Sequence, residues 1–188
     1  MEADWAVEVG GDAARIEVDW AGFLDLRRDA GLVDRIPETR NHPALSAVLL
    51  ELNSPESPMF TSKCDVWKLA AGEIDPLEFD CEAGEAQEGL AGYIDVIARN
   101  SGSLRSFAEH EAWVRRAALA LRRETVRRGR VDLVVRAATA GGVNGFGVTL
   151  YAAGCGMDSS AAETAWGEIL RRAVMATMRE ARASSSIG

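Results

Sequence analysis

Apolar and polar residues follow two spacings along this chain, one typical of strands and the other of helices. Alternation of apolar with polar residues predicts strands over 64–69, 77–81, 90–97, 130–136 and 146–151. Apolar residues three and four positions apart predict helices over 43–52, 104–128 and 161–183. We therefore predict an α+β fold with a single, largely antiparallel sheet of about six or seven strands. Two long helices and one short helix are expected to pack on one face of that sheet.

The strongest local signal is a β-hairpin formed by Arg130–Arg136 and Phe146–Tyr151. Between these runs, Gly141–Gly145 contains glycine and asparagine, which tolerate the positive φ angles of tight reversals. Residues 5–20 alternate in the same way around Gly10–Asp12, so they predict a second hairpin at the start of the chain.

Capping residues predict where the helices begin and end. Pro43 suits the first turn of a helix, where its missing amide hydrogen is not needed, and Asn41 is the expected cap. Gly129 is expected to end the longest predicted helix. Asp158 or Ser159 is expected to cap the last helix.

Three short segments of the first half resemble three segments of the second half in the same order. The pairs are Ala21–Leu26 with Ala91–Val96, His42–Leu45 with His110–Trp113, and Lys63–Val66 with Arg130–Leu133. One interpretation is an internal duplication of a strand-helix-strand-strand unit, with copies over 15–82 and 85–156 followed by the helix 159–183. Chance similarity within one domain spanning 1–183 is the favoured alternative, because each match is short. The tail 184–188 is expected to be frayed.

Charge is distributed unevenly between the two halves of the chain. Residues 1–100 hold 21 acidic and 8 basic residues, a net charge of −13. Residues 101–188 hold 13 basic and 8 acidic residues, a net charge of +5, so the whole chain carries −8. The halves are expected to attract each other, within one chain or between subunits. The overall acidity opposes binding to the phosphate backbone of nucleic acids.

The composition is that of an ordinary globular protein, with 47% hydrophobic and 27% charged residues. No apolar run approaches the roughly 20 residues that span a bilayer, so no membrane association is predicted. The acidic start Met1–Trp5 lacks the features of a secretory signal, which predicts a cytoplasmic protein. Abundant alanine, arginine and glycine beside only two lysines indicate a bacterial source with a GC-rich genome.

The three cysteines, Cys64, Cys81 and Cys155, do not have the spacing of a metal site. An odd number of cysteines cannot form a complete disulfide framework, and free cysteines are usually buried. We expect three reduced thiols, and we predict neither a metal nor a cofactor.

Four residues are weak candidates for catalysis: His110, Asp95, Asp132 and Cys155. His110 lies between two glutamates, and a nearby carboxylate can make a histidine a general base. Asp95 and Asp132 interrupt apolar strand patterns and could act as acid and base if their strands were neighbours. Structural roles are the favoured alternative, because strand aspartates usually lie on the solvent face of a sheet.

The small-residue segment Gly154, Cys155 and Gly156 runs from a predicted strand towards a helix N-terminus. Its backbone amides could bind a small anion, and the cysteine could react there as a low-pKa thiolate. However, Ser160 and Glu163 have the spacing of a capping box, which explains the nearby serines by local hydrogen bonding. The sequence places no histidine near the cysteine, so a structural role is favoured.

Arginines cluster in and just after the longest predicted helix. The candidates for binding are Arg115, Arg122, Arg123, Arg127 and Arg128. On one flank of a helix they could bind phosphate or another small anionic ligand through bidentate contacts. Pairing with the acidic first half, within the chain or between subunits, is the favoured alternative.

These observations favour a protein that acts by binding, either to a protein partner or within a homo-oligomer, rather than by catalysis. The acidic first half or the arginine-rich helix is the expected interface. The first alternative is a small hydrolase or transferase with a pocket at the 154–160 turn or between the two halves. A nucleic-acid binder that uses the arginine-rich helix is the least favoured alternative.

Overall fold

The computed structural model of the chain describes residues 1–185, which form one mixed β-sheet and several helices. The strands are β1 Glu2–Glu8, β2 Ile16–Glu17, β3 Met59–Ala70, β4 Glu88–Ala98, β5 Gly129–Ala140 and β6 Val143–Gly156. The helices are α1 Pro43–Asn53, α2 Ser101–Arg105, α3 Phe107–Leu121 and α4 Ser159–Ser185. Short 3-10 turns cover Ala30–Arg35, Pro37–Arg40, Ala71–Glu73 and Ala83–Glu85. The predicted α+β class and the mainly antiparallel sheet are confirmed.

The β5–β6 hairpin provides the central strand of the sheet, whose order is β1-β5-β6-β4-β3. Its turn consists of Gly141 and Gly142, whose φ angles of +54° and +75° are rarely adopted by other residues. Val143 already pairs with Ala140, so the turn is shorter than the sequence predicts. The tight turn fixes the register of the two strands along their whole length.

The start of the chain does not form the predicted hairpin. Both β1 and β2 run parallel to β5, with Glu8 opposite Arg136 and Ile16 opposite Ala138. Residues 9–15 therefore form a loop between two strands that both pair with β5. After this loop, β2 continues the pairing along β5 that β1 began. The prediction is wrong because an alternating pattern and a glycine-rich segment do not specify which strand will be the pairing partner. These parallel pairs make the sheet mixed.

Side chains alternate between the two faces of each strand, and α1, α3 and α4 cover only one of those faces. Apolar residues of these helices and of the covered face form the main core. They include Leu49, Ile94, Trp113, Leu133, Leu150, Trp166 and Leu170. We name the opposite side of the sheet the open face. It carries Tyr93, Tyr151 and Asp132, which lie side by side on neighbouring strands.

Two smaller apolar clusters cover the ends of the open face. Near the hairpin turn, Ile16, Phe60, Ile97, Leu104 and Ala138 pack together. At the other end, the loop of residues 71–87 packs Ile74, Phe79 and Ala86 against Cys155. The middle of the open face, between the two clusters, is not covered by either of them.

Helix α4 packs unusually close to β6 because glycines face it. A Cβ atom on Gly154 would overlap the backbone of Trp166, and one on Gly156 would lie 2.6 Å from the Cβ of Ala161. The Trp166 indole N–H donates to the Ala152 carbonyl oxygen at 3.1 Å. The helix begins as predicted with Asp158, whose carboxylate accepts from the Ala161 amide at 2.8 Å. No helix within residues 1–185 combines the length and the apolar composition needed to cross a membrane.

The longest predicted helix is divided and ends early. It is interrupted at Ser106, whose side chain caps α3, and it ends at Leu121 rather than at residue 128. The reason is tertiary hydrogen bonding: the Met1 amino group donates to the Glu124 carbonyl, and the Cys155 amide donates to the Arg128 carbonyl. These contacts hold residues 122–128 in a non-helical path towards β5.

Three other local predictions are wrong. Residues 77–81 form turns instead of a strand, with Asp80 at a φ angle of +50°. Gly129 begins β5 instead of ending a helix, because the preceding helix stops earlier. The N-cap position of α1 is His42 rather than Asn41, and its side chain makes no capping hydrogen bond.

The internal duplication is not confirmed. Ala21–Leu26 lies outside the strands, whereas the matching Ala91–Val96 lies within β4. The first copy also lacks the return strand expected over residues 77–81. Of the tail predicted to be frayed, residues 184 and 185 belong to α4, and residues 186–188 lie outside the described part of the chain.

We expect the substitution Gly154→Ala to lower the free energy of unfolding by about 3 kcal/mol, because a Cβ atom has no space between β6 and α4. Gly84→Ala is the matched control, since no heavy atom lies within 4 Å of a Cβ at that position. We expect it to change the free energy by less than about 0.5 kcal/mol. Urea denaturation of both variants tests this, and equal effects would contradict the close packing.

Candidate functional site

The middle of the open face is a shallow trough with a volume of about 560 Å³. Its lining comes from five neighbouring strands, because residues that pair across the sheet share one face. The polar and aromatic residues that line it are Asp4, Trp5, Glu8, Trp67, Arg130, Asp132, Arg136 and Tyr151. Such a surface is unusual for a sheet face, since it is neither covered by a helix nor uniformly solvated.

Three aromatic rings cross the open face from β3 to β6. The ring centroids of Trp67 and Tyr93 are 6.4 Å apart, and those of Tyr93 and Tyr151 are 5.9 Å apart. Burial, with smaller contributions from Asp95 and Asp65, raises the pKa of Tyr93 to about 12. The Tyr93 phenol is therefore neutral at physiological pH. The rings offer a continuous apolar and π-electron surface among charged groups.

Asp95 on β4 is a buried carboxylate, with only 7% of its surface exposed. The Thr149 hydroxyl donates to it at 2.6 Å, and the same hydroxyl accepts from Arg136 Nε at 3.0 Å. Burial raises the pKa of Asp95, although the Thr149 hydrogen bond and the positive charges of Arg136 and Lys63 act in the opposite direction. The threonine thus connects two oppositely charged side chains beneath the surface of the open face.

Carboxylates outnumber the cations that could neutralise them on this face. Arg130 pairs with Asp132 at 2.7 Å, and Arg136 pairs with Glu8 at 2.8 Å. Asp65 at the β3 edge is exposed and has no cation within 4.0 Å among residues 1–185. The unpaired carboxylate gives the aromatic surface an acidic border.

On each edge strand of the sheet, one aspartate side chain accepts a hydrogen bond from the next backbone amide of its own strand. On β1, the Asp4 carboxylate accepts from the Trp5 amide at 2.8 Å. On β3, the Asp65 carboxylate accepts from the Val66 amide at 2.8 Å. A side chain that takes the outward amide removes a donor that a new strand would need.

The two histidines lie apart from the aspartates of the open face. His110 is fully buried in α3, where its Nδ1 lies 2.9 Å from the Ser106 carbonyl and its ring faces Phe146. Burial lowers the pKa of His110, so the ring is neutral at physiological pH. His42 contacts Glu163 at 3.0 Å. The structure thus does not bring His110 together with Asp95 or Asp132 as an acid-base pair.

Four aspartates interrupt apolar segments of the sequence, and the structure places only three of them on one face of the sheet. Asp65, Asp95 and Asp132 share the open face on three different strands, and Asp132 is engaged by Arg130. Asp25 lies in a loop, where Arg27 contacts it at 2.7 Å and lowers its pKa. Within residues 1–185, no group of three histidine, cysteine or acidic side chains could hold a metal ion.

Most of the candidate binding arginines contact acidic residues of the same chain. Three of the five do so: Arg122 pairs with Asp4, Arg127 with Asp80, and Arg128 with Glu85. Arg115 and Arg123 are exposed and have no ion pair among the described residues. Because α3 ends at Leu121, the cluster is divided between a helix and the segment that follows it. The favoured pairing with the acidic first half is present within one chain.

The 154–160 turn borders an open groove of about 780 Å³ that includes Arg127, Arg128 and Ser160. The glycines of the turn make room for α4 rather than for a ligand. The predicted capping box is absent, because the Glu163 carboxylate contacts His42 and Asp158 caps the helix. Ser159 donates to Glu88.

Cys155 is fully buried at this turn, and its sulfur lies 3.4 Å from that of Cys81. Burial, followed by the hydrogen bond and charge of Cys81, raises the pKa of Cys155 to about 12. The thiol is therefore protonated at neutral pH, which opposes a role as a catalytic nucleophile.

Sequence inspection identified Asp95 and Asp132 but missed Tyr93, Thr149 and Arg136. A signal for them exists, because each is a polar or aromatic residue at an alternate position of an otherwise apolar strand. The signal becomes specific only when the register places residues from different strands side by side.

We expect Thr149→Val to lower the free energy of unfolding by about 3 kcal/mol, because it leaves the buried Asp95 carboxylate without its hydroxyl donor. Thr164→Val is the control, since that hydroxyl is exposed and bonds only to the Ser160 carbonyl of its own helix. We expect a change of less than about 0.5 kcal/mol there. Chemical denaturation measures both, and a mild effect of Thr149→Val would contradict the proposed bridging role.

The stability of Asp95→Asn relative to the wild type should depend on pH. Because the pKa of Asp95 is raised in the folded protein, its ionisation destabilises the fold above the folded pKa, and this effect disappears below the ordinary value of 3.8. The variant should therefore gain stability relative to the wild type as the pH rises from 3 to 7. Asp25→Asn should lose relative stability over the same range, because the pKa of Asp25 is lowered. Thermal denaturation at several pH values tests the two opposite trends.

Comparisons with known proteins do not assign a family or a function to this chain. No family model matches the sequence, and neither a curated protein nor a solved structure matches it. Function is therefore inferred from the residues and contacts of the chain itself.

Proposed function

We propose that this protein acts by binding a protein partner on the open face of its sheet, and that the bound segment carries basic and apolar side chains. The observation that carries the proposal is the open face itself, an uncovered sheet face that holds a trough, a row of aromatic rings and, beside the rings, the unpaired carboxylate of Asp65. Uncovered faces with exposed aromatic residues are typical of interaction surfaces.

The chemistry of the trough favours a basic partner. Aromatic rings attract the ammonium and guanidinium groups of lysine and arginine through the negative charge density of their faces. Asp65 is placed in register with Tyr93, next to the aromatic surface, and has no cation of its own among the described residues. A basic side chain could contact both the ring and the carboxylate, and the apolar part of its stem would cover the ring.

A protein segment fits this surface better than the other occupants considered. A nucleic acid would bring phosphates towards the unpaired Asp65 carboxylate and the acidic residues around the trough, which is electrostatically unfavourable. Two copies that met through their open faces would bring the same carboxylates together, which disfavours a symmetric dimer through this surface. The hydrolase or transferase alternative has no supporting observation, because His110 is buried on the helix side of the sheet.

The test uses a labelled 12-residue peptide of alternating arginine and leucine, with a glutamate-leucine peptide as the charge control. We expect the arginine peptide to bind the wild type more tightly, with an affinity that falls as salt rises. Asp65→Lys and Trp67→Ala should each weaken binding by about tenfold, since each removes one recognition element of roughly 1 kcal/mol or more. Fluorescence polarisation measures the affinities.

Two matched variants control for general effects. Asp12→Lys makes the same change in net charge on the exposed 9–15 loop, and Leu119→Ala removes an apolar side chain that is 45% exposed on α3. Neither should change the affinity of the arginine peptide by more than about twofold. The proposal fails if the open-face variants behave like these controls or if both peptides bind equally well.

A further inference from the structure

We propose that Cys81 and Cys155 form a dithiol redox site, which low-molecular-weight disulfides convert into an intramolecular disulfide. The two sulfur atoms are 3.4 Å apart although the residues are separated by 74 positions in the sequence. This inference does not depend on the proposed partner binding, because it rests on a different pair of residues and a different reaction.

The two cysteines join two separate parts of the fold. Cys155 lies near the end of β6, opposite Gly89 of β4, and is fully buried. Cys81 lies in the loop of residues 71–87 and is partly exposed. The same loop packs Phe79 over Cys155, so the sulfur contact lies within a small apolar cluster at one end of the open face.

The difference in exposure determines the order of the reaction. The partly exposed Cys81 thiolate attacks a disulfide RSSR, forms the mixed disulfide Cys81–S–SR and releases one thiolate, RS⁻. Cys155 then loses its proton to solvent, and its thiolate attacks the Cys81 sulfur and releases the second RS⁻. The balance is two protein thiols and one RSSR converted to one protein disulfide and two RSH.

The geometry requires only a small movement. A disulfide bond is about 2.05 Å long, so the sulfur atoms must approach by somewhat more than 1 Å from their contact distance. The raised pKa of Cys155 opposes the second step at neutral pH, and the rate should therefore increase as the pH rises.

The bond would fasten an acidic loop to the sheet. Glu78, Asp80 and Glu85 of the loop already contact Arg130, Arg127 and Arg128. Exposed ion pairs of this type are individually weak and are screened by salt. A covalent bond between Cys81 and Cys155 would hold the same loop independently of salt, and it would fix one end of the trough.

Cys64 is an internal control in the same chain. It lies on β3, opposite Ile94, on the side of the sheet that the helices cover. Burial, with smaller contributions from nearby carboxylates, raises its pKa to about 12. It makes no sulfur contact with the other cysteines, so it should remain a free thiol when the pair is oxidised.

The experiment incubates the full chain with glutathione disulfide at pH 8.5 and counts thiols after denaturation. We expect the count to fall from three to one, the intact mass to fall by that of two hydrogen atoms, and peptide mapping to recover Cys81 joined to Cys155. Oxidation should raise the Tm by about 5 °C, because a long loop is closed in the unfolded chain. The oxidised protein should keep that gain in high salt.

Single substitutions identify the two participants. Cys64→Ser should still form the bond and retain no free thiol, whereas Cys81→Ser and Cys155→Ser should form no intramolecular disulfide and show no gain in Tm. The mapping on the wild type does not require these variants to fold. Persistent glutathione on Cys81, a disulfide that contains Cys64, or three unreacted thiols after prolonged incubation would each overturn the proposal.

Discussion

The close contact between helix α4 and strand β6 is the constraint on which the rest of the structure depends. Gly154 and Gly156 have no side chains, so the helix backbone lies directly on the central strand. Trp166 then fills the space beside it and bonds to the Ala152 carbonyl. Side chains alternate between the two faces of the sheet along β6. Because the helix packs on the face of Gly154 and Gly156, Thr149 and Tyr151 lie on the open face. The packing of the core therefore also decides the composition of the open face.

The open face is stabilised by polar contacts rather than by a second layer of helices. Thr149 links the Asp95 carboxylate to the Arg136 guanidinium, and each of these groups would be unfavourable to bury alone. At the two edges, Asp4 and Asp65 each accept from one backbone amide, which removes one donor per edge strand from pairing with a further strand.

The sequence predicted correctly those helices and strands that depend on nearby residues, such as a turn glycine or a capping side chain. The β5–β6 hairpin has its own glycine turn, and α4 has its own cap at Asp158, so both are evident from the sequence. The parallel pairing of β1 with β5 has no local signature, because the partner lies more than a hundred residues away. The same reason explains the site: Asp95 was recognisable as a polar residue in a strand, but its link to Arg136 exists only through Thr149 on a third strand.

Many of the opposite charges of the two halves of the chain form ion pairs with each other inside the molecule. Acidic residues of the first half meet arginines of the second half at pairs such as Glu8 with Arg136 and Glu85 with Arg128. These pairs attach β1 and the 71–87 loop to the sheet. The Glu85–Arg128 pair contributes little because it is partly exposed, whereas Arg136 is buried beneath its contact with Glu8. The arginines in these ion pairs already contact carboxylates, so they do not form an unpaired surface for an anion. Among the described residues that keep an unpaired charge, Asp65 lies beside the aromatic rings of the open face.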